Sequence, residues 1–245
     1  MERLEGRTAV VTGAASGIGL SIVEAFAAEG MSVVMADIDE ENLLRQAARL
    51  ADQGATVHAV SADVTDPDAV ASVGRAAIER FGNLHVAVNN AGVVSRGFSW
   101  ELPLEEWRRV IEVDLWGVIN GIRSFVPLIL ESGEGHVVNT ASMAAVLPLD
   151  RLGPYSVAKH GVLGLSDVLR AEFDVMGAPI GVSVVMPGMI KTAMNPIGTV
   201  PADVVAAHVV DAIRRRRSYV FTDDHGASDV RDRLEQILSA KAEES

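Results

Sequence analysis

Residues 8 to 19 read TAVVTGAASGIG, and this stretch decides the fold of the chain. The apolar run from Thr8 to Thr12 predicts a buried strand, and a glycine-rich loop follows it directly. Apolar side chains then recur at helical spacing until Gly30, where we expect the helix to end. Glycines between a strand and a helix let the backbone approach a phosphate, which the helix amino terminus can bind. The alternative is an ordinary turn, because a glycine string alone is a weak signal.

A carboxylate follows the second predicted strand, which we place at residues 31 to 36. Asp37 lies about 20 residues beyond the glycine loop, where a carboxylate accepts hydrogen bonds from a ribose diol. The same charge would repel a 2'-phosphate, so Asp37 indicates NAD rather than NADP. The alternative is that Asp37 only caps the helix that begins near Asp39.

Strands and helices alternate with short connections along the rest of the chain, which predicts a doubly wound parallel α/β sheet flanked by helices. Asp66 and Pro67 are typical of a helix start, and Pro127 should bend or end a helix that begins near Glu105. The further strands are expected at residues 55–60, 84–88, 136–140, 180–186 and 219–222, and the further helices at 41–53, 67–81, 154–176, 201–215 and 230–240.

The composition favours one domain spanning residues 1–245, because 49% of the residues are hydrophobic and no linker or repeat divides the chain. The absence of cysteine excludes disulfides, thiolate metal sites and a cysteine nucleophile, and we assign no metal ligands. The net charge of -12 disfavours nucleic acid and anionic lipid, so we interpret the basic run 214–217 as a solvated helix end. Without a signal-peptide pattern or an uncharged apolar run of roughly 18 residues, we expect a soluble, cytoplasmic protein with no membrane contact.

The segment from Tyr155 to Lys159 reads YSVAK and lies in a predicted helix, so its phenol and its ammonium share one face. A free tyrosine has a pKa of about 10 and is a poor base at neutral pH. One positive charge at about 4 Å supplies the required stabilisation, roughly 4 kcal/mol, only where the effective dielectric constant is near 20. We therefore expect Tyr155 to act as a base inside a partly desolvated cleft. The alternative is a pair on a solvated helix surface.

Other polar side chains follow the ends of predicted strands, where open parallel sheets bind ligands. They are Asp63 beside Val64, Asn89 with Asn90, and Ser142. Plain turns would carry similar residues. Asp114 differs, because it falls on the apolar stripe of a helix, between Val110 and Val118. A buried carboxylate is costly unless it is paired, so we expect Asp114 to have a partner.

Together these motifs resemble the short-chain dehydrogenase/reductase superfamily over essentially the whole chain. The resemblance is carried, in the family's order and spacing, by Thr12-Gly13-x-x-x-Gly17-Ile18-Gly19, Asp63, Asn89-Asn90-Ala91-Gly92, Ser142, Tyr155-x-x-x-Lys159 and Pro187-Gly188-x-x-x-Thr192. It implies a single Rossmann-like domain with seven parallel strands, bound NAD(H), and interconversion of an alcohol and its ketone.

The resemblance also implies which residues contact the cofactor. Gly13, Gly17 and Gly19 would approach the pyrophosphate, Asp37 would hold the adenosine ribose, and Asp63 with Val64 would flank the adenine. Lys159 would hold the nicotinamide ribose and lower the pKa of Tyr155. The remaining implied contacts are Ser16, Ile18, Asn90, Tyr155, Pro187, Ile190 and Thr192.

In the implied mechanism Tyr155 takes the proton of the alcohol while hydride leaves for the nicotinamide, and Ser142 positions the substrate oxygen. Asp114 departs from the family, which usually has an asparagine there that is thought to hold a water linking the lysine to solvent. An ionised Asp114 would stabilise Lys159 and weaken its pull on Tyr155, whereas a protonated Asp114 could imitate the amide. We expect Asp114 to support the proton path and to displace the acidic limb of the pH profile.

The substrate loops are expected at about residues 93–100, 143–153 and 189–200, with a short lid after residue 192. They are mostly apolar, which favours a hydrophobic secondary alcohol or its ketone. The expected pocket residues include Val94, Met143, Val146, Leu147, Leu149, Leu152, Met189, Met194 and Ile197. Arg96 and Arg151 could bind a carboxylate, or they could be solvated loop charges.

Other functions remain open. An NADP-linked carbonyl reductase is the nearest alternative, and a dinucleotide-sensing protein without turnover is another, disfavoured by the intact Ser142, Tyr155 and Lys159. A nucleic-acid-binding module is disfavoured by the acidic balance. Family members commonly form dimers or tetramers, and we expect a homotetramer or homodimer here, with close packing allowed at Gly117, Gly121, Gly161 and Gly164. The stretch 223–225 replaces a glycine-rich end common in the family, and the final helix is expected to cover the site or an interface.

Overall fold

The computed structural model describes residues 1–223 and 226–240, which form a seven-stranded parallel sheet flanked by helices. Its strand order is β3-β2-β1-β4-β5-β6-β7, so the predicted doubly wound α/β fold is confirmed. The strands are β1 (Thr8–Thr12), β2 (Ser32–Asp37), β3 (Val57–Ser61), β4 (Val86–Asn89), β5 (Gly135–Thr140), β6 (Ile180–Met186) and β7 (Tyr219–Phe221).

Aspartate side chains cap the start of two of the helices. Asp39, rather than Asp37, is the N-cap of α2 and accepts the N–H of Asn42 at 3.2 Å. Asp66 caps α3 with Pro67 as its first residue, as predicted. The helices are α1 (Gly17–Ala28), α2 (Glu40–Asp52), α3 (Pro67–Phe81), α4 (Leu104–Ile111), α5 (Gly117–Glu131), α6 (Gly153–Met176), α7 (Ala202–Arg215) and α8 (Ala227–Ser239).

Both faces of the sheet are buried, which explains why its strands are almost continuously apolar. In β1, Ala9 and Val11 join the core under α1 and α7, which includes Phe26. Val10 points the other way, into the core under α3, α5 and α6, which includes Phe125. Because successive side chains alternate between the two faces, each strand of this kind ties two helical layers together.

Of the two effects predicted for Pro127, a bend or an end of the helix, the second does not occur. The helix does not end at Pro127 but continues to Glu131, with Phe125 and Ile129 fully buried against the sheet. Pro127 removes only one N–H donor, and this burial holds the last turn in place. The irregularity occurs earlier, where a π-helical turn, Glu112–Trp116, joins α4 to α5. No residue type in this turn predicted it.

The continuous helical stretch Leu104–Glu131 has 28 residues, and an 18-residue window within it has a mean hydropathy of 1.4. By length and hydropathy alone, this stretch could cross a membrane. The structure packs this stretch on the sheet instead, through Val118, Phe125 and Ile129. A core helix passes the same length and hydropathy test, so the stretch is weak evidence for a membrane span.

Two of the glycines expected to permit close packing bring α5 close to β4 and to the loop after β3 of its own chain. A Cβ added at Gly121 would lie 1.9 Å from Oδ1 of Asn89, and one at Gly117 would lie 2.8 Å from the side chain of Val64. These positions therefore need no neighbouring chain to explain them. Gly164, on the outer side of α6, has nothing within 4 Å.

The basic run lies at the carboxyl end of α7, as interpreted from the sequence. Arg214 pairs with Glu29, while Arg215 and Arg217 both pair with Asp211. Cations near a helix carboxyl terminus complement its partial negative charge. The run is therefore largely occupied by ion pairs within the protein.

The final helix, α8, holds the loop that follows β5. Arg233 donates to the carbonyl oxygen of Val146 at 2.6 Å, and Val230 packs on the core cluster that contains Leu147. Neither residue lines the large cleft described below. Asp224 and His225 lie outside the described residues, so the prediction that concerned 223–225 is not tested.

Candidate active site

A cleft of about 1010 Å³ lies at the carboxyl edge of the sheet, where the neighbouring strands β1 and β4 lead to opposite sides. Such a switch point is where open α/β sheets bind ligands. The cleft brings together most of the predicted cofactor residues: Gly13, Ser16, Gly17, Ile18, Asp37, Asp63, Val64, Asn90, Pro187, Ile190 and Thr192.

The glycine loop is shaped by backbone conformations and close contacts. Gly13 and Gly17 have φ angles of 66° and 54°, which side-chain-bearing residues rarely adopt. Gly19 does not line the cleft; a Cβ there would lie 2.0 Å from the carbonyl oxygen of Gly13. Its role here is to let α1 pack closely on the glycine loop that follows β1. The N-cap residue Ser16 makes no side-chain capping bond and α1 has no acidic residue in its first turn, which leaves this helix terminus suited to an anion.

Asp37 lies at the end of β2 and faces the cleft. Its Oδ2 accepts the N–H of Ala15 at 2.9 Å, and its Oδ1 accepts the N–H of Asp39 at 3.0 Å. These bonds fix the carboxylate at the rim of the glycine loop, and each oxygen keeps capacity for another donor. Ile38 beside it is 69% exposed and carries no charge that could attract a phosphate.

The amide side chains after β4 hold neighbouring elements together, and one of them faces the cleft. Asn90 donates from Nδ2 to the carbonyl oxygen of Thr12 at 3.0 Å, and Thr140 donates to its Oδ1 at 3.4 Å. Asn89 is buried and donates to Asn139 at 2.8 Å instead. Beside them, Asp63 accepts both the N–H and the hydroxyl of Thr65. These bonds keep the polar floor of the cleft rigid.

Ser142, Tyr155 and Lys159 all line the cleft. The Oγ of Ser142 accepts the N–H of Ala144 at 3.1 Å, so its own proton remains free to donate into the cleft. Tyr155 and Lys159 lie one turn apart on α6, and the Lys159 ammonium is 5.5 Å from the centroid of the tyrosine ring. As predicted, these three residues lie together in one partly desolvated cleft.

The Lys159 ammonium is buried and has two fixed partners. It donates to the carbonyl oxygen of Thr140 at 3.0 Å and lies 3.1 Å from Oδ2 of Asp114. Asp114 is 0% exposed, and its Oδ1 accepts the N–H of Val93 at 2.8 Å. The partner expected for Asp114 is therefore Lys159.

Burial and charge act in opposite directions on this ion pair. Burial raises the pKa of Asp114, against the opposing pull of Lys159 and of the Val93 N–H. Burial alone would lower the pKa of Lys159, but the charges of Asp114 and Tyr155 outweigh it and raise that pKa. Both groups therefore hold their protons more tightly than they would in water.

The other end of the cleft is mostly apolar. Of the expected pocket residues, Val94, Leu149, Leu152, Met189, Met194 and Ile197 line it. Met143 does not, and neither do Val146 and Leu147. Met143 lies in a short 3₁₀ turn, where its N–H is held by the carbonyl of Pro187 and its side chain packs into the core. The expectation for these three side chains was therefore wrong.

Only one of the two arginines that were expected near the substrate lines the cleft. Arg96 lines the cleft, but Arg151 does not and instead lies 4.9 Å over the ring of Phe98. Arg109 and Glu112 line the cleft as well and were missed. Thr140 was also missed, because it binds Lys159 through its carbonyl oxygen and not through its side chain. Its position at the carboxyl end of β5 could have indicated that it lies in the cleft.

Among residues 1–223 and 226–240, no group of three or more histidine, cysteine, aspartate or glutamate side chains could hold a metal ion.

Comparisons with known proteins agree with this geometry. A family model described as short chain dehydrogenase matches residues 7–198. A 1-deoxy-11-beta-hydroxypentalenate dehydrogenase from Streptomyces arenae is 41% identical over 246 residues, covering 94% of this chain and 87% of the relative. One from Streptomyces exfoliatus is 40% identical, covering 96% of this chain and 89% of the relative. The crystal structure of a short-chain dehydrogenase/reductase from Burkholderia phymatum in complex with NAD superposes with a TM-score of 0.95 at 33% identity, covering 98% of this chain and 97% of that one.

Proposed function

Because this chain belongs to the short-chain dehydrogenase/reductase family, we propose that it oxidises an apolar secondary alcohol to its ketone with NAD, and reduces the ketone in reverse. The observation that carries the proposal is that Ser142, Tyr155 and Lys159 share one cleft with the glycine loop. Hydride transfer from an alcohol needs a proton acceptor and a cofactor site in the same enclosed space.

The chemistry of the three side chains divides into proton transfer and positioning. Tyr155 accepts the proton of the alcohol during oxidation and returns it to the ketone during reduction. Ser142 donates its free hydroxyl proton to the substrate oxygen, which holds that oxygen in place as charge develops on it. Lys159 places a positive charge 5.5 Å from the centroid of the Tyr155 ring, where it can stabilise the negative charge that develops during proton transfer.

The glycine-loop end of the cleft fits a dinucleotide. A Cβ at Gly17 would lie 3.3 Å from Thr192, which would narrow the space between the loop and the segment after β6. The uncapped start of α1 would bind the pyrophosphate, and Asp37 would bind the adenosine ribose. A bound nicotinamide would supply the hydride acceptor. Asp37 supports NAD over NADP, because its carboxylate would repel a 2'-phosphate and neither Ala15 nor Ile38 beside it carries a positive charge.

The apolar end of the cleft supports a hydrophobic substrate. Its walls are made by Val94, Leu149, Leu152, Met189, Met194 and Ile197. The Streptomyces relatives are named as dehydrogenases of a hydroxypentalenate, which is consistent with oxidation of a secondary alcohol on a hydrocarbon skeleton. We extend only this class of reaction to the present chain. An NADP-linked carbonyl reductase and a dinucleotide sensor without turnover are the alternatives.

A turnover screen separates these functions. Purified protein is assayed with NAD and with NADP against apolar secondary alcohols and their ketones, following the reduced nicotinamide. We expect turnover with NAD, with kcat/KM at least about tenfold above that with NADP, because the carboxylate of Asp37 would repel the 2'-phosphate of NADP. NADP preference would establish the carbonyl-reductase alternative, and stoichiometric NAD binding without turnover of any alcohol would establish the sensor.

Replacement of Tyr155 is the variant that tests the assigned chemistry. Tyr155→Phe keeps the ring and removes the hydroxyl, so we expect turnover to be abolished while NAD still binds. Binding is measured by titration calorimetry and turnover by the same assay. More than about a tenth of normal activity in this variant would contradict the assignment of Tyr155 as the base.

We also propose that the protein is a homotetramer or homodimer, in the cytoplasm. Exposed apolar side chains along the outer side of α6 support the assembly: Val157, Val168 and Val175 are 52%, 54% and 90% exposed. A molar mass of 25.9 kDa by light scattering at micromolar concentration would contradict it.

A further inference from the structure

We propose that Asn42 is a positioning residue for the cofactor, because its side-chain amide holds the carbonyl of Ala15 away from the phosphate-binding end of the glycine loop. This role rests on the proposed function and deepens it, since it concerns how the loop is kept ready for a pyrophosphate. Two hydrogen bonds to Ala15, from the corner where β2 leads into α2, are the observations behind it.

Ala15 is held at both of its backbone polar groups. Its N–H donates to Oδ2 of Asp37 at 2.9 Å, and its carbonyl oxygen accepts from Nδ2 of Asn42 at 3.0 Å. Ala15 is only 2% exposed, so water does not readily replace these partners. The carboxylate proposed to bind the ribose and an amide of the next helix therefore fix the same residue of the glycine loop.

Contacts within α2 decide which end of the Asn42 amide faces the loop. Arg45 donates to Oδ1 of Asn42 at 2.6 Å, and because a guanidinium can only donate, the atom that faces it is the amide oxygen. Gln46 donates to the same oxygen at 3.4 Å, and Asp39 accepts the backbone N–H of Asn42. The Nδ2 donor is therefore directed at the carbonyl of Ala15 by the first turns of α2.

The direction of the Ala15 carbonyl matters because it lies at the start of α1. The first backbone bond that the structure gives this helix runs from the N–H of Leu20 to the carbonyl of Ser16 at 3.1 Å. One residue earlier, the carbonyl of Ala15 is turned to Asn42 and not to the N–H of Gly19, which would be its partner in a longer helix. The N–H groups of the first turn thus keep their capacity for an anion.

The bond from Asn42 also sets the direction of the Ser16 N–H. In a trans peptide the carbonyl and the N–H point in opposite directions, and the described chain has no cis peptide. With its carbonyl turned to α2, the peptide that joins Ala15 to Ser16 directs its N–H away from α2. Ser16 and Gly17 line the cleft, so the arrangement keeps a carbonyl oxygen, which would repel a phosphate, away from this wall.

Loss of the Asn42 amide would leave the buried carbonyl of Ala15 without its donor, which is costly. The N–H of Gly19 can replace that donor if α1 grows by one residue. This change removes a donor from the pyrophosphate and turns a carbonyl toward it. The preceding peptide, whose N–H binds Asp37, need not rotate. We therefore expect a defect confined to ligands that contain phosphate.

The test compares the binding of three ligands to the native protein and to Asn42→Leu. Leucine keeps the branched shape of asparagine, has no polar side-chain atom and is the better helix former, so α2 should not be weakened. NAD and ADP are titrated calorimetrically, and adenosine, which has no phosphate, is titrated by ligand-observed NMR at millimolar concentration. We expect the Kd of NAD and of ADP to rise about tenfold and that of adenosine to stay within about twofold.

Gln46→Leu is the matched control, because it removes an amide from the same helix one turn later. The hydrogen bonds of Gln46 are to Asn42 and Arg49 within α2. We expect its affinity for all three ligands to stay within about twofold of the native value. Asn42→Ala is a second variant with the same expected pattern as Asn42→Leu, and retained adenosine binding shows that each variant is folded.

Unchanged ADP and NAD affinities in both Asn42 variants would overturn this role and leave the proposed function standing. An equal loss for adenosine and ADP would also overturn it, because Asn42 would then support the ribose contact or the fold as a whole. If the native protein binds ADP but oxidises no alcohol, the proposed enzyme function fails, while the expected pattern of ADP and adenosine affinities still establishes the role of Asn42. Failure of the native protein to bind either NAD or ADP would overturn both.

Discussion

Arg96 is the one cation of the cleft that forms no ion pair within residues 1–223 and 226–240; Lys159 is paired with Asp114 and Arg109 with Glu106. An unpaired guanidinium beside an apolar wall suits a substrate that carries an anionic group on a hydrocarbon skeleton. Because Arg96 is exposed, solvent reduces the strength of such a contact.

We therefore expect Arg96→Gln to raise the KM of an apolar hydroxy acid about fivefold, which corresponds to roughly 1 kcal/mol. The KM of the uncharged methyl ester of the same acid should stay within about twofold, because the ester offers no charge. Steady-state kinetics with both compounds provides the measurement. Arg151→Gln is the matched control, since Arg151 lies over Phe98 outside the cleft. A parallel change for acid and ester in Arg96→Gln would contradict this role.

Residue types alone could not tell which loop side chains face the substrate. Met143 and Leu149 are both apolar residues of the same loop, yet only Leu149 lines the cleft. Met143 is turned into the core by a 3₁₀ turn, which depends on the extended backbone of Ser142 and on the carbonyl of Pro187. Such contacts come from distant parts of the chain. The polar residues at strand ends were easier to place, because parallel strands align their carboxyl ends.

At the scale of elements, α1 approaches the glycine loop most closely at Gly19. A Cβ at Gly19 would lie 2.0 Å from the carbonyl oxygen of Gly13, and this backbone atom cannot move without displacing the glycine loop. We expect Gly19→Ala to destabilise the protein by about 3 kcal/mol or more and to weaken NAD binding. Urea unfolding and calorimetric titration with NAD provide the measurements.

Gly164 is the matched control for this substitution. It lies on the exposed side of α6, and a Cβ there would meet nothing within 4 Å. Because Gly164 lies between Val157 and Val168 on the face proposed for assembly, the control is measured together with the molar mass by light scattering. With that mass unchanged, Gly164→Ala should stabilise the helix by about 0.5–1 kcal/mol. If the two substitutions changed the free energy of unfolding equally, the contact between Gly19 and the carbonyl of Gly13 would not be the reason for a glycine at position 19.

The elements themselves were largely predictable. Apolar runs bounded by glycine, aspartate and proline located every strand to within about two residues, and Asp66 with Pro67 fixed the start of α3. The π-helical turn of residues 112–116 was not predictable. It inserts an extra residue per turn without a glycine or proline to mark it, and it positions Asp114, whose partner is on α6.

At the scale of the whole molecule, the free energy of unfolding depends on pH through titratable groups that are buried. His136 lies in β5 and is 0% exposed. Ser183 donates its hydroxyl proton to the carbonyl oxygen of Arg217 at 2.5 Å, so it accepts from Nε2 of His136 at 2.7 Å. The other ring nitrogen, Nδ1, then carries no proton and has no hydrogen-bond partner among the residues that the structure describes. The ring is therefore held in its neutral form.

Burial, with smaller contributions from the positive charges of the amino terminus and Arg216, lowers the pKa of His136 from 6.5 to about 3. The unfolded chain therefore binds a proton that the folded chain does not, over the window between pH 6.5 and about 3. The stability tied to this group is fully present above pH 6.5 and is lost as the pH falls through that window. Within it the free energy of unfolding should fall by up to about 1.4 kcal/mol per pH unit on account of this histidine.

The test is urea unfolding of the native protein and of His136→Gln at a series of pH values. The glutamine can still donate to Ser183 but does not titrate, so we expect a shallower pH dependence below pH 6.5, by up to about 1.4 kcal/mol per unit. The slopes of the two proteins should agree above pH 7, where the histidine is neutral in the folded and unfolded chains alike. This internal comparison separates the titration from any constant loss of packing in the variant. Identical slopes below pH 6 would mean that other buried groups, rather than His136, make this fold sensitive to acid.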